Sequence, residues 1–227
     1  MHTTVALLLA AGLASATPES THYEPEVGDI LLFQSPGGLR NIAYFLGCSA
    51  GVTHSALVVA RPDGTLGMLE APGPDYPVMI SDIPSRRCYH KGRVWVRKRK
   101  CPVTPEQSRC LTEFACRQEG KPFYTLGVLI PMFGKPIPKH RHRCVKDEEL
   151  EPDRWFCSPL VVAGLIAGGL LDRCAAKPWF VDPQDLKTDH WLDLSCGWQR
   201  PYRWLYCGDR AECWFSISCA GKKEWWK

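Results

Sequence analysis

Two side chains of complementary chemistry stand about a hundred residues apart in this chain. His54 lies in the run Val52-Thr53-His54-Ser55-Ala56-Leu57-Val58-Val59. Cys157 lies in Trp155-Phe156-Cys157-Ser158-Pro159-Leu160-Val161-Val162-Ala163-Gly164-Leu165. An imidazole and a thiol are the two halves of a thiol nucleophile and its base, and they need only meet in the fold. The thiolate is the reactive form, and the unpaired N–H groups and positive dipole of a helix N-terminus favour it. Pro159 suits the first turn of a helix, so the spacing predicts Cys157 at the positive end of an apolar helix. Local sequence alone also allows a blander reading, with Cys157 a small core hydrophobe and His54 a satisfied core histidine.

Glu70 changes that balance. A hairpin turning symmetrically about Asp63 sets residue 54 opposite 72 and residue 56 opposite 70. His54 and Glu70 then lie on one face as diagonal neighbours, within reach of long side chains. A carboxylate there would hold the imidazole tautomer and stabilise imidazolium, the task of a triad's third member. A slip of one residue would send the two to opposite faces.

The elements that must position these groups are legible in outline. Over residues 29–33, Asp29 is followed by an unbroken apolar run, as in a buried strand. Val52 to Ala60 and Leu66 to Ala71 read as paired strands about the turn Pro62-Asp63-Gly64, and Pro72-Gly73-Pro74 closes the hairpin. Gly37-Gly38 marks a turn, with a short helix predicted over Leu39 to Phe45. Arg93 to Arg97 alternates as a strand and runs into Lys98-Arg99-Lys100, read as a solvated strand end. Thr104 as N-cap, Pro105 behind it and Gly120 beyond Glu119 bound a helix. Lys135 to Asp153 is polar and reads as a surface loop. Pro159 to Leu171 is apolar on all sides and predicts a buried helix, too short and glycine-rich to cross a membrane.

With 227 residues, 45% hydrophobic and 23% charged, the chain suits one well-cored globular domain with appendages. A net charge of +4 is too mild to predict a nucleic-acid partner, and an anionic envelope would suit it. Val5 to Ala14 followed by Ala14-Ser15-Ala16 has the form of a secretory signal, without a basic residue at its start. Twelve cysteines in an exported chain predict disulfides. At least one is expected among Cys196, Cys207, Cys213 and Cys219, whose spacings are too wide for a zinc knuckle. His140-Arg141-His142-Arg143-Cys144 reads as solvated surface in preference to a metal site. The C-terminal tryptophans, from Trp191 to Trp226, read as packing around disulfides rather than a sugar-stacking surface.

Gly28-Asp29 before an apolar strand, Thr53-His54, Glu70-Ala71, Gly120-Lys121-Pro122-Phe123-Tyr124 and Phe156-Cys157-Ser158-x-Leu160-Val161 follow one another in an informative order. Together they resemble the circularly permuted papain-like enzymes of the NlpC superfamily, the YaeF/YiiX-type amidases. Val181-Asp182-Pro183-Gln184-Asp185-Leu186 is similar to that family's closing Pro-x-Asp-Leu. The resemblance implies an α+β fold, an antiparallel barrel-like sheet packed against a buried active-site helix. It implies a cysteine amidase or peptidase with Cys157 as nucleophile, His54 as base, Glu70 as third member and Tyr124 facing the substrate. Pro159 departs from it, since many relatives carry Glu there.

The expected organisation is a signal over 1–16, a catalytic domain over 26–186 and a Cys- and Trp-rich extension over 187–227. The expected substrate is a peptide or other amide of the cell envelope, cleaved outside the cytoplasm, with no cofactor, metal, nucleic acid or transmembrane span. Two alternatives stand beside it. One is a lipid acyltransferase or phospholipase of the lecithin:retinol acyltransferase-like type, with Leu126 to Phe133 lining an apolar groove. The other is a non-catalytic binding protein.

Overall fold

The computed structural model describes residues 19–20, 22–35, 51–125, 144–189 and 191–205. The signal-like segment, the helix expected over Leu39 to Phe45, the apolar stretch from Leu126, the His140–Arg143 run and Cys207, Cys213 and Cys219 lie outside them.

Seven strands form one sheet in the order β1-β7-β6-β2-β3-β4-β5. They are β1 Glu19–Ser20, β2 Ile30–Gln34, β3 His54–Ala60, β4 Leu66–Glu70, β5 Met79–Ser81, β6 Arg93–Arg97 and β7 Tyr202–Trp204. Among the described residues four α-helices accompany them: α1 Ile83–Tyr89, α2 Pro105–Gln118, α3 Cys157–Ala167 and α4 Asp185–Thr188. The fold is α+β. The sheet differs from the barrel-like antiparallel one expected: β1 runs parallel to β7, and β1 and β5 end the sheet without meeting. Edge strands of two and three residues offer too short a ladder to close a barrel.

Both faces are covered, which explains the apolar run of β2. On one face Ile30, Leu32, Leu57, Val59 and Leu69 join Leu111 and Phe114 of α2 and Leu160 to Ile166 of α3 in one core. On the other, Leu31, Phe33, Ala56, Val58, Met68, Val94 and Val96 pack with Ile83 of α1 and with Tyr23. The helix predicted from Pro159 to Leu171 starts at Cys157 and stops at Ala167, where Gly168 and Gly169 end it. Every residue from Cys157 to Ile166 is buried. Gly164 permits that depth: a Cβ on it would lie 2.8 Å from Leu57 Cδ2 of β3. For α2 the predicted signals hold, with a reciprocal capping box between Thr104 and Gln107.

Asp29 knots the start of β2. Its buried carboxylate accepts from Tyr23 Oη at 2.9 Å, Glu26 N at 3.0 Å and Arg99 N at 2.8 Å. Gly28 before it has φ +91° and sits against Leu170 and Val103, so a side chain there would be both strained and crowded. Residues 191–205, the described part of the Cys- and Trp-rich segment, are built into the same sheet and core. Buried Trp198 donates to Gly28 O at 2.9 Å, and β7 pairs with β6. The basic run after β6 is therefore no bare solvated end. Lys98 pairs with Glu26, Arg99 lies over the Trp198 ring and Lys100 Nζ donates to Ser195 O.

Cys144 and Cys174 form a disulfide, and Cys88 is disulfide-bonded as well. Of the four C-terminal cysteines among which at least one bridge is expected, Cys196 is a free, exposed thiol, and the other three lie outside the described residues. Among the described residues no helix is long and apolar enough to cross a membrane.

Candidate active site

The β3–β4 hairpin turns as its sequence predicts. Leu57 faces Leu69 and Ala60 faces Leu66, the register in which 56 opposes 70. His54, the first residue of β3, and Glu70, the last of β4, are thus diagonal neighbours, and His54 Nε2 lies 2.7 Å from Glu70 Oε2. Glu70 is 1% exposed and His54 is 12% exposed, so the contact is shielded from water.

Cys157 enters from the opposite layer. Phe156 is the N-cap of α3, so Cys157 opens the helix, as the Pro159 spacing predicts. Its thiol is free and buried, and it is close enough to the His54 imidazole to favour the protonated ring. With Nε2 held by Glu70, Nδ1 is the ring nitrogen left to face sulfur.

A short segment after α3 fastens these halves together. Buried Ser158 donates to Val181 O at 2.7 Å, and Val52 N, two residues before His54, donates to Gln184 Oε1 at 3.3 Å. Asp182 and Asp185 cap each other's backbone N–H at 3.0 and 2.9 Å, which fixes the turn between those contacts. Arg97 of β6 then binds Leu186 O and Asp189. The closing Pro-x-Asp-Leu pattern is therefore a clamp between the helix of Cys157 and the strand of His54.

Glu70 has two further partners that sequence reasoning missed. Ser81 Oγ of β5 donates to Oε1 at 2.5 Å, and Arg86 Nε of α1 lies 3.2 Å from both carboxylate oxygens. The Arg86 guanidinium also sits over the Phe33 ring, 5.2 Å from its centroid. The signal for both lies in chain order alone: a strand-and-helix pair just after the hairpin must lie on its free edge. Neither β5 nor α1 is long enough to show periodicity.

Burial alone would lower the His54 pKa. The hydrogen bonds and charges of Cys157 and Glu70 outweigh it and raise the imidazole to about 9. Burial alone would raise Glu70, but His54, Arg86 and Ser81 hold it down at about 2. The pair is thus imidazolium and carboxylate at neutral pH. His90, whose Nε2 lies 3.0 Å from Gln34 O, is pushed down to about 4 by burial and by Arg86, and is neutral there.

Tyr124 is tied to the Cys157 segment by its backbone. Its N–H donates to Trp155 O at 2.6 Å beside the Phe123–Trp155 bridge. Its ring packs edge-on to Trp179 and under Arg154, and Trp179 stacks on Trp155. Among the described residues no group of three or more His, Cys, Asp or Glu side chains is placed to hold a metal ion.

No family model matches the chain, and no curated protein matches it by sequence. Among solved structures it is similar to the metalloprotein yiiX from Escherichia coli O157:H7 (DUF1105), with 21% identity, a TM-score of 0.47, and coverage of 79% of this chain and 89% of that one.

Proposed function

We propose that the protein is a thiol hydrolase of permuted papain-like type that cleaves an amide bond through Cys157, His54 and Glu70. One observation carries this reading: a free, buried thiol at a helix start beside an imidazole that a buried carboxylate holds at 2.7 Å. A binding-only role gives no reason to maintain three ionisable groups in a shielded contact.

The Cys157 thiolate attacks the amide carbonyl carbon, and the electron pair of the C=O bond moves onto oxygen. Backbone N–H groups at the start of α3 stabilise that oxyanion; Pro159 has no N–H and contributes none. As the tetrahedral intermediate collapses, the C–N bond breaks and imidazolium His54 protonates the departing amine. Neutral His54 then takes a proton from water, whose oxygen attacks the thioester. The carboxylic acid leaves and the thiolate–imidazolium pair is restored. Glu70 stays ionised throughout and stabilises imidazolium.

The proposed substrate is a peptide or related amide of the cell envelope, and the proposed site of action is outside the cytoplasm. The disulfides at Cys144–Cys174 and Cys88 support an oxidising compartment.

Iodoacetamide labelling followed by peptide mass spectrometry tests the thiol. Cys157 is expected to label near neutral pH ahead of exposed Cys101, Cys116 and Cys196, and to lose that preference in H54A. Equal labelling of Cys157 in both proteins, or none in either, overturns the reading. Incubation with muropeptides and, separately, with phospholipids identifies the acyl donor. Lipid turnover with intact peptides would replace the amidase by an acyltransferase.

A further inference from the structure

The reading of Cys157 and His54 as an ion pair leaves a charge unaccounted for. Thiolate, imidazolium and the Glu70 carboxylate sum to one negative charge within a shielded site. An uncompensated charge there is poorly solvated and would drive a proton back onto sulfur. A triad whose third member is neutral does not meet this problem, whereas one built on Glu70 does.

Arg86 is the group positioned to meet it. Its Nε lies 3.2 Å from each Glu70 oxygen. Its side chain is only 14% exposed, and the Phe33 ring beneath the guanidinium fixes its approach. A guanidinium stays charged at every pH the protein meets, so the compensation does not titrate away.

Among the described residues, the other groups facing the pair do not compete. From β5, Ser81 is a neutral donor. His90, just past α1, lies with Nε2 3.0 Å from Gln34 O and is uncharged near neutral pH. Arg87, the next residue of α1, is turned to the ring and carbonyl of Trp204. From β2 comes only the Phe33 ring, and from α3 Cys157 itself.

We propose that Arg86 is a charge-balancing positioning residue: by neutralising Glu70 it allows Cys157 to exist as thiolate beside imidazolium His54. This rests on the catalytic reading above. Arg86 acts on Cys157 through its contact with Glu70.

The test is the pH dependence of Cys157 alkylation by iodoacetamide, with sulfur displacing iodide and the thiol proton retained on His54. It is measured on wild type, R86M, R86K, E70Q and R86M/E70Q. In R86M the acid limb is expected to move up by about one to two pH units, since a nearby charge shifts a pKa by that order. R86K should recover most of the shift, because it restores the charge without the planar fork. R86M/E70Q should also return toward wild type, since removing the carboxylate makes thiolate and imidazolium sum to zero.

A merely structural Arg86 predicts the reverse for the double variant, which loses both partners and should be at least as impaired as R86M. A wild-type limb in R86M, or a double variant as displaced as R86M, overturns the proposal and leaves the thiol hydrolase standing. A wild-type Cys157 that titrates as an ordinary thiol overturns both. Should R86M fail to fold by circular dichroism, R86M/E70Q against wild type carries the comparison: the two acid limbs should lie close together, since both sites sum to zero charge, and a large upward displacement in the double variant overturns the proposal.

Discussion

His54 Nε2 and Glu70 Oε2 meet at 2.7 Å across the β3–β4 hairpin, although the two residues are sixteen apart and sit diagonally rather than face to face. The contact works because diagonal partners need long side chains, and both are long. It holds the imidazole by one nitrogen and leaves the other for Cys157.

E70Q should lower the His54 pKa. In the wild type an NMR titration of the His54 ring is expected to turn over near pH 9. Removing the carboxylate takes away the hydrogen bond and charge that help oppose burial, and leaves Arg86 as a like-charged neighbour. A fall of roughly one to three pH units is expected. An unchanged midpoint would show that Glu70 does not stabilise the imidazolium.

Stability should follow this pair with pH. His54 is raised above its ordinary 6.5 to about 9, so its contribution is complete below pH 6.5 and is lost as pH rises through 9. Glu70 is lowered from its ordinary 4.5 to about 2, so its contribution is complete above pH 4.5 and is lost as pH falls toward 2. Both are complete only between about pH 4.5 and 6.5. Urea unfolding of wild type and H54Q should therefore diverge less above about pH 9, by on the order of 2 kcal/mol. Parallel curves through that range would contradict the assignment.

D29A should be among the costlier single substitutions. It leaves Tyr23 Oη, Glu26 N and Arg99 N without their shared acceptor in a fully buried place. Two or more orphaned donors at about 1–3 kcal/mol each predict a loss of several kcal/mol. Urea melts measure it. Selective labelling of Cys157 should survive at low temperature, because the knot lies away from the His54–Glu70 contact.

C144S/C174S should lose about 3.6 kcal/mol, the chain-entropy value for a loop of this size. The bridge spans thirty residues and encloses the whole of α3. Val145 N still donates to Arg173 O at 3.0 Å, so the local geometry should persist without it. Differential scanning calorimetry reads the loss. Cys157 should keep its alkylation profile, and a collapse of that profile would tie the bridge directly to the site.

The sequence by itself determined the local parts of the site. A tight turn at Pro62-Asp63-Gly64 fixes a register, and with it which residues share a face; that brings Glu70 to His54. The Thr104-Pro105 cap, the start of α3 at Cys157 and the burial of β2 are likewise written in residues close to one another. Tertiary structure alone decided the rest. Whether the sheet closes depends on which strands become its edges, and residues 202–204 supply a strand beside β6 that nothing local announces. Arg99 is a solvated cation by composition and a lid on Trp198 in the fold. Ser81 and Arg86 reach Glu70 only because a three-residue strand and a seven-residue helix lie along the free edge of β4. Elements that short carry no periodic signal, and the charge they deliver acquires its meaning only from the buried carboxylate it meets.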